Sequence, residues 1–281
     1  MPELPEVQTV VTTLRPKVLG RSIVRVVSVR PDIVSPAGVD LRARLGGRVV
    51  RSVERRGKRI IFTLDDDNRF YVHLGMTGQL SVAAPDSPLL THTHLELDLG
   101  AERLRFRDPR RFGGVWWLGA ESPDDGMGPE PLALRASELL RRLGQTTRAV
   151  KSALLDQRVV AGLGNIYVDE ALHAANIHPL TPADRLSAAD VGRLSRAIKA
   201  TLRRAIRHRG STLRDYRDAD GAAGGFQRLH RVYDRAGKPC HRCRTPIERI
   251  VLGGRSTHFC PNCQPAHRKR ARPVSRRRGR S

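Results

Sequence analysis

Four cysteines lie between positions 240 and 263, paired as Cys240-His-Arg-Cys243 and Cys260-Pro-Asn-Cys263. Each pair is a short knuckle that can aim two thiolates at one tetrahedral ion, and the residues between the knuckles suit a hairpin. Four thiolates leave no open position for water, so the spacing predicts one structural Zn2+ per chain rather than a catalytic metal. Between the knuckles runs Gly253-Gly254-Arg255-Ser256-Thr257. Two readings stay open here: a hairpin tip with a solvated arginine, or glycines that let backbone approach a phosphate while Arg255 supplies a fork of donors.

Three further constellations carry polar chemistry. Ala161-Gly-Leu-Gly-Asn165 sits between two helical patterns. A turn of this kind can offer bare N–H groups to a phosphate, and Asn165 can cap the helix it opens, contact phosphate, or do both; a plain inter-helix turn is the alternative. Asp108-Pro-Arg-Arg-Phe-Gly113 is a compact turn bearing Arg110, Arg111 and Phe112. Exposed phenylalanine beside arginine suits base stacking with phosphate or base-edge contact, whereas a buried Phe112 with solvated arginines is the plain alternative. His73-Leu-Gly-Met76-Thr-Gly78 places a methionine between glycines, where a loop can project it as an apolar wedge, although burial is the usual fate of methionine. The opening Met1-Pro-Glu-Leu-Pro-Glu-Val7 reads first as a helix start, with prolines in the first turn and glutamates at the positive end of the dipole.

The elements that must hold these groups follow from periodicity. An amphipathic segment from Pro2 to Leu19 precedes a β-rich stretch, with a hairpin expected from Arg59–Leu64 and Arg69–Leu74 and further strands at His94–Leu99, Arg103–Arg107 and Gly114–Leu118. Short strands with turns between them predict a sandwich or barrel. Pro123–Pro131 reads as a linker, and helical spacing then takes over. Ser187-Ala-Ala-Asp190 resembles a capping box ahead of Val191, Leu194, Ile198, Leu202 and Ile206, and Gly210 supplies the stop. Asp218–Gly225 is expected to be a mobile loop. No internal repeat is evident.

The 281 residues include 51 Lys and Arg against 28 Asp and Glu, a formal charge of +23. Such an excess points to a polyanionic partner. No apolar run reaches the roughly 18 residues of a membrane span, and no signal-peptide core or lipidation motif is present. A membrane partner is therefore not expected, and the expected location is cytoplasmic. Residues 265–281 are strongly basic and are expected to be a disordered tail.

Taken in order, PELPEV at 2–7, GKR at 57–59, HLGMTG at 73–78, DPRRFGG at 108–114, GLGNIY at 162–167 and the four cysteines resemble the bacterial formamidopyrimidine-DNA glycosylases, of the wider family that includes endonuclease VIII. The resemblance implies an α+β multidomain fold. An N-terminal antiparallel β-sandwich domain with a flanking helix (1–122) is joined by a linker (123–131) to a helix–two-turn–helix DNA-binding domain (132–233). A four-cysteine zinc-finger β-hairpin (234–264) follows, and then the tail (265–281). It also implies a monomeric, nucleoid-associated base-excision repair enzyme, bound to damaged double-stranded DNA, that removes oxidised purines and cuts the abasic strand by β,δ-elimination.

By that resemblance Met1 is removed and the Pro2 amine is the nucleophile. The physical chemistry fits, because an α-amino group titrates near 7.7–8.0 and a lysine near 10.4, so far more of the former is neutral at pH 7. A secondary amine condenses with C1′ to an iminium, an electron sink that acidifies the C2′ proton. The resemblance makes Glu3 the general acid, gives Lys58 a phosphate contact and a part in β-elimination, and links Arg255 to δ-elimination. Asn165, His92, Arg110, Arg111 and Arg148 become DNA contacts. Met76, Arg110 and Phe112 fill the space of the everted nucleotide. One departure stands out: Gln145-Thr-Thr-Arg148 lies where the family often has lysines, so Arg148 is expected to substitute and a contact at Thr146 is in question. The alternatives are an endonuclease VIII-like enzyme for oxidised pyrimidines and a non-catalytic zinc-containing DNA-binding protein.

Overall fold

The computed structural model describes residues 2–124 and 126–266. The basic tail expected at 265–281 falls, from position 267 onward, outside the described residues. Helix α1 (Leu4–Val18) comes first, followed by strands β1 (Arg25–Val29) and β2 (Val34–Ser35), helix α2 (Leu41–Leu45), and strands β3 (Val50–Arg56), β4 (Arg59–Leu64), β5 (Arg69–His73), β6 (Gln79–Ala83), β7 (Thr93–Asp98), β8 (Arg103–Arg107) and β9 (Gly114–Gly119). Helices α3 (Ala136–Leu143), α4 (Val150–Leu155), α5 (Asn165–Ala175) and α6 (Ala188–Arg207) lead to the hairpin β10 (Glu248–Leu252) and β11 (Arg255–Phe259).

The first nine strands form two sheets, ordered β1-β7-β8-β6 and β2-β9-β5-β4-β3. Pairing is antiparallel except for the two-residue β2, which runs parallel to β9. The expected β4–β5 hairpin is present, with Phe62 opposite Phe70 and their rings stacked at 4.6 Å. One face of these strands (Ile60, Phe62, Leu64, Phe70 and Val72) enters the sandwich core, and on the other face Tyr71 stacks on Trp116 beneath Arg59, so both strands bury consecutive residues. The sandwich core joins Phe62, Phe70 and Val72 of one sheet to Leu80, Leu95 and Phe106 of the other, with Val7, Val11 and Leu14 of α1 closing it.

A second core lies among α3–α6, and Val191, Leu194, Ile198 and Leu202 enter it at helical spacing. The capping box forms as read: the Ser187 hydroxyl accepts from Asp190 N at 3.1 Å, while Asp190 accepts from Ser187 N at 3.0 Å. The two cores exchange residues. Leu4 of α1 is buried in the helical core, and Tyr216 and Ala219 of the later segment are buried in the sandwich core. The segment at 123–131 is tied down, since Glu130 accepts two hydrogen bonds from Arg55 (2.9 and 2.6 Å) and one from Gly57 N (2.6 Å).

The segment 218–225, expected as a mobile loop, contains a turn built on one side chain. Buried Asp218 accepts from the N–H groups of Asp220 (3.0 Å) and Ala222 (2.9 Å), which is side-chain chemistry that the run of Gly and Ala hid.

Candidate active site

Glu3 is the pivot of the site. It is 2 % exposed, and its carboxylate accepts from Ile166 N (2.9 Å) and Tyr167 N (3.4 Å), the open N–H groups at the start of α5. A residue 163 positions away therefore does the capping that sequence spacing offered to Asn165. Gly164 is required by this contact, because a Cβ there would sit 2.3 Å from Glu3 Cδ. Burial raises the Glu3 pKa, against the opposing pull of Lys58 and the two α5 N–H groups. A carboxyl so placed can hold a proton for delivery.

Glu6, one turn along, is 1 % exposed. It accepts from Glu3 N (2.8 Å), Ser211 N (2.6 Å) and the Tyr167 hydroxyl. Burial, with repulsion from Glu3, pushes its pKa up to about 7. Lys58 occupies the turn between β3 and β4; burial lowers its pKa, Glu3 opposes that effect, and the charge of Arg255 adds to it. Lys58, Glu3 and the zinc-hairpin arginine thus share one electrostatic neighbourhood.

Pro2, Glu6, Met76, Arg110, Tyr233 and Ser256 are among the residues around a cavity of about 620 Å³. Lys58, His73 and Phe112 face a second cavity of about 400 Å³. Met76 (41 % exposed) and Phe112 (55 % exposed) are presented to solvent, which decides against the buried reading of each. Their loops brace one another. Buried Asp108 accepts from Thr77 Oγ1 (2.5 Å) and Gly113 N (2.7 Å). Gly75 and the Phe112–Gly113 backbone meet so closely that a Cβ on Gly75 would lie 2.4 Å from Gly113 N. The Arg110 guanidinium lies 4.7 Å from the Phe112 ring centre, so cation and wedge form one projecting unit.

The remaining expected contacts are more scattered. Asn165 does not cap α5; Gly164 holds the N-cap position, and Asn165 Nδ2 donates to Ser256 O at 2.9 Å, reaching the zinc hairpin. His92 is exposed with φ +67°, and its carbonyl accepts from Asp108 N. Arg111 pairs with Asp32 at 3.0 Å, and Arg148 with Asp156 at 3.1 Å. Both are exposed, and neither borders either cavity.

The four cysteine sulfurs lie within 4.8 Å of one another, with Sγ–Sγ separations of 3.4 Å (Cys243–Cys260) and 3.9 Å (Cys240–Cys263) among them. A tetrahedral Zn–S distance of about 2.3 Å spaces sulfurs by roughly 3.8 Å, so the set fits one Zn2+. His173 of α5 approaches Cys240 Sγ at 3.7 Å, an outer-shell partner. His241 and His258 are not needed as ligands; His258 N donates instead to Asp169 at 2.9 Å. Fully buried Lys151 bonds Asp169 (2.6 Å) and Ser256 O (2.9 Å), fastening β11, and with it Arg255, to the helical domain.

Glu6, Tyr167 and Ser211 escaped the sequence reading. The first two lie inside PELPEV and GLGNIY, but nothing local marks them as partners of each other or of Ser211.

Residues 1–115 match the family described as formamidopyrimidine-DNA glycosylase N-terminal domain, 127–217 its H2TH domain, and 237–266 a zinc finger found in FPG and IleRS. A sandwich, a helix–two-turn–helix domain and a zinc hairpin around one buried carboxylate define the class, a DNA glycosylase of base-excision repair. The formamidopyrimidine-DNA glycosylase of Herpetosiphon aurantiacus is 47 % identical over 274 residues, covering 94 % of this chain and all of the relative. That of Chloroflexus aurantiacus is 44 % identical over 271 residues, covering 94 % of this chain and 98 % of the relative. The crystal structure of the MutM (FPG) protein of Thermus thermophilus superposes with a TM-score of 0.84 at 41 % identity, covering 94 % of this chain and 98 % of that one. Lactococcus lactis Fpg in complex with abasic-site DNA superposes at 0.87 and 36 % identity, covering 94 % and 99 %. The chain belongs to the formamidopyrimidine-DNA glycosylase family. Among the described residues, no helix is long and apolar enough to cross a membrane.

Proposed function

We propose that this glycosylase excises oxidised purines, 8-oxoguanine and formamidopyrimidines, from double-stranded DNA and incises the abasic strand, with the Pro2 amine as nucleophile once Met1 is removed. The amine nitrogen bonds C1′ as the glycosidic bond breaks; the base leaves with a proton and the nitrogen loses its own. Glu3 supplies the proton for sugar-ring opening. The resulting iminium acidifies C2′; its proton passes to a base, a part the neutral amine of Lys58 can take, and the C–H electrons left behind form the C2′–C3′ double bond as the C3′–O bond breaks and the 3′ phosphate leaves. Lys58, Arg255 and Asn165 hold phosphates around this centre, with Lys58 serving β-elimination and Arg255 the δ step. His92, Arg111 and Arg148 extend the DNA contact, Arg148 in place of the usual lysine near Thr146. Met76, Arg110 and Phe112 enter the duplex and offset the few kcal/mol of lost stacking, with Arg110 toward the orphaned base. The zinc site fixes the hairpin that carries Arg255 and takes no chemical step. Nucleoid association follows from this substrate.

The observation that carries the reading is the Glu3 carboxyl. It is buried on the α5 N-terminus, next to Pro2 in sequence, and Lys58 opposes the rise in its pKa. Three cores lie mainly within the proposed bounds 1–122, 132–233 and 234–264, on either side of a linker at 123–131, with Leu4, Tyr216, Ala219 and Val232 crossing between them.

Borohydride trapping on an abasic duplex, followed by mass spectrometry, tests the proposal. A covalent adduct at Pro2 is expected, and none when Met1 is retained or the amine is acetylated. Incision that survives masking of the amine rejects the nucleophile. Preference for thymine glycol over 8-oxoguanine opposite cytosine would assign the enzyme to pyrimidines. Tight binding with no adduct and no incision would leave a binding module.

A further inference from the structure

Helix α6 ends at Arg207, and the chain turns out through Arg209, a non-glycine residue at φ +60°. Such a conformation persists only when surrounding contacts determine it. Its backbone is held by Arg209 N to Ile206 O at 3.0 Å, and its side chain chiefly by Asp218: Arg209 Nε donates to Asp218 Oδ2 at 2.9 Å, Arg209 Nη2 donates to the same oxygen, and Asp220 stands farther off at 3.5 Å. The other carboxylate oxygen takes the N–H groups of Asp220 and Ala222. Asp218 is 3 % exposed, so every acceptor position faces protein.

The ion pair joins the two ends of the segment 210–217. Within that segment Ser211, Leu213, Arg214, Asp215 and Tyr216 border the cavity that Pro2 also borders. The turn built on Asp218 is itself docked on α1. Ala219 N donates to Thr13 Oγ1 at 3.1 Å, Lys17 pairs with Asp220 at 2.9 Å, and Ala219 is buried in the sandwich core. Tyr216 OH donates to the Glu6 carbonyl at 3.2 Å. At the tip Leu213 is 45 % exposed, and Arg214 and Asp215 are exposed. The segment is pinned at its base by the clamp and along its backbone by Ser211 N to Glu6 (2.6 Å), Thr212 N to Gln227 (3.1 Å) and Gln79 Nε2 to the Asp215 carbonyl (2.7 Å), while the side chains of Leu213, Arg214 and Asp215 are exposed.

We propose that the Arg209–Asp218 pair is a clamp that holds residues 211–216 as the wall of the base-receiving cavity, and that Asp218 is a positioning residue for base excision but not for abasic-strand incision. The inference rests on the proposed function. A wall that meets the everted base matters only while a base is attached. The abasic sugar has none, and Ser211, the wall residue tied to Glu6 at 2.6 Å, keeps that bond without the clamp.

The test is Asp218→Asn, which keeps volume and an acceptor for the two N–H groups but removes the nearer of the two carboxylates that face Arg209, leaving Asp220 at 3.5 Å. Single-turnover excision of 8-oxoguanine is expected to fall by about tenfold or more, since displacement of a positioning group by about 1 Å costs up to 10²-fold. Incision of a preformed abasic site should stay within about twofold. Arg209→Gln should match it, and the double variant should be no worse than either single one, because both remove the same contact. Trypsin cleavage after Arg214 should accelerate in each variant. That readout needs no catalysis, so it separates failure of the clamp from failure of the enzymatic reading. Excision and incision falling in step, or cleavage and excision both unchanged, would overturn the clamp.

Discussion

Replacing Glu6 by glutamine isolates the cost of one buried charge. Glu6 accepts three hydrogen bonds, and among the described residues it has no ion pair. Its pKa rises from 4.5 to about 7 on folding, through burial first and repulsion from Glu3 second. A carboxyl whose pKa is raised by folding contributes stability that is fully present below pH 4.5 and is lost as pH climbs through 7. At 1.36 kcal/mol per pH unit the full span is about 3 kcal/mol, most of which falls between pH 5 and pH 8. Glutamine does not titrate, so it removes this slope. It adds a constant penalty of about 1–3 kcal/mol, because its NH2 or its lone oxygen must face donors that Glu6 now accepts. Buried His173 and His230, whose pKa values burial depresses to about 4, tilt both proteins the other way and cancel in the difference. Urea unfolding at four pH values from 5 to 8, with zinc present, gives the comparison. The variant should be less stable than wild type at pH 5 and should gain roughly 2–3 kcal/mol on it by pH 8. Two stability curves that stay parallel within about 0.5 kcal/mol would refute the buried-charge account.

Gly164→Ala places a Cβ 2.3 Å from Glu3 Cδ and drives the carboxyl off α5; excision should fall about a hundredfold or more by single-turnover assay, with a lower melting temperature. Chelation should release about one zinc per chain and abolish DNA binding in a gel-shift assay, with zinc restoring it, because Arg255 and Ser256 ride on the hairpin; full binding by verified metal-free protein would contradict this. Phe112→Ala should slow excision from duplex DNA by about tenfold and spare incision of a single-stranded abasic oligonucleotide, where no stack must be opened.

Features written in short spacings were legible in the chain before any fold. Two Cys-x2-Cys knuckles defined a metal tetrahedron by themselves. Two strand-like runs around the polar Asp65–Asn68 turn located the β4–β5 hairpin, and 3.6-residue spacing located α6 with its Ser187–Asp190 box, because these depend on neighbours within a few residues. Motif order along the chain was enough for the family. Groups left unsatisfied within their own segments found their partners only in the folded molecule. The open N–H groups of α5 went to Glu3 rather than Asn165, whose amide went to Ser256. Glu6 acquired Tyr167 and Ser211. Met76 and Phe112 were turned outward by two loops that touch backbone to backbone, and the Ala- and Gly-rich 218–225 segment was fixed by one buried aspartate. A buried donor or acceptor must find a partner wherever the chain brings one, and at separations of tens to hundreds of residues only the closed fold specifies which.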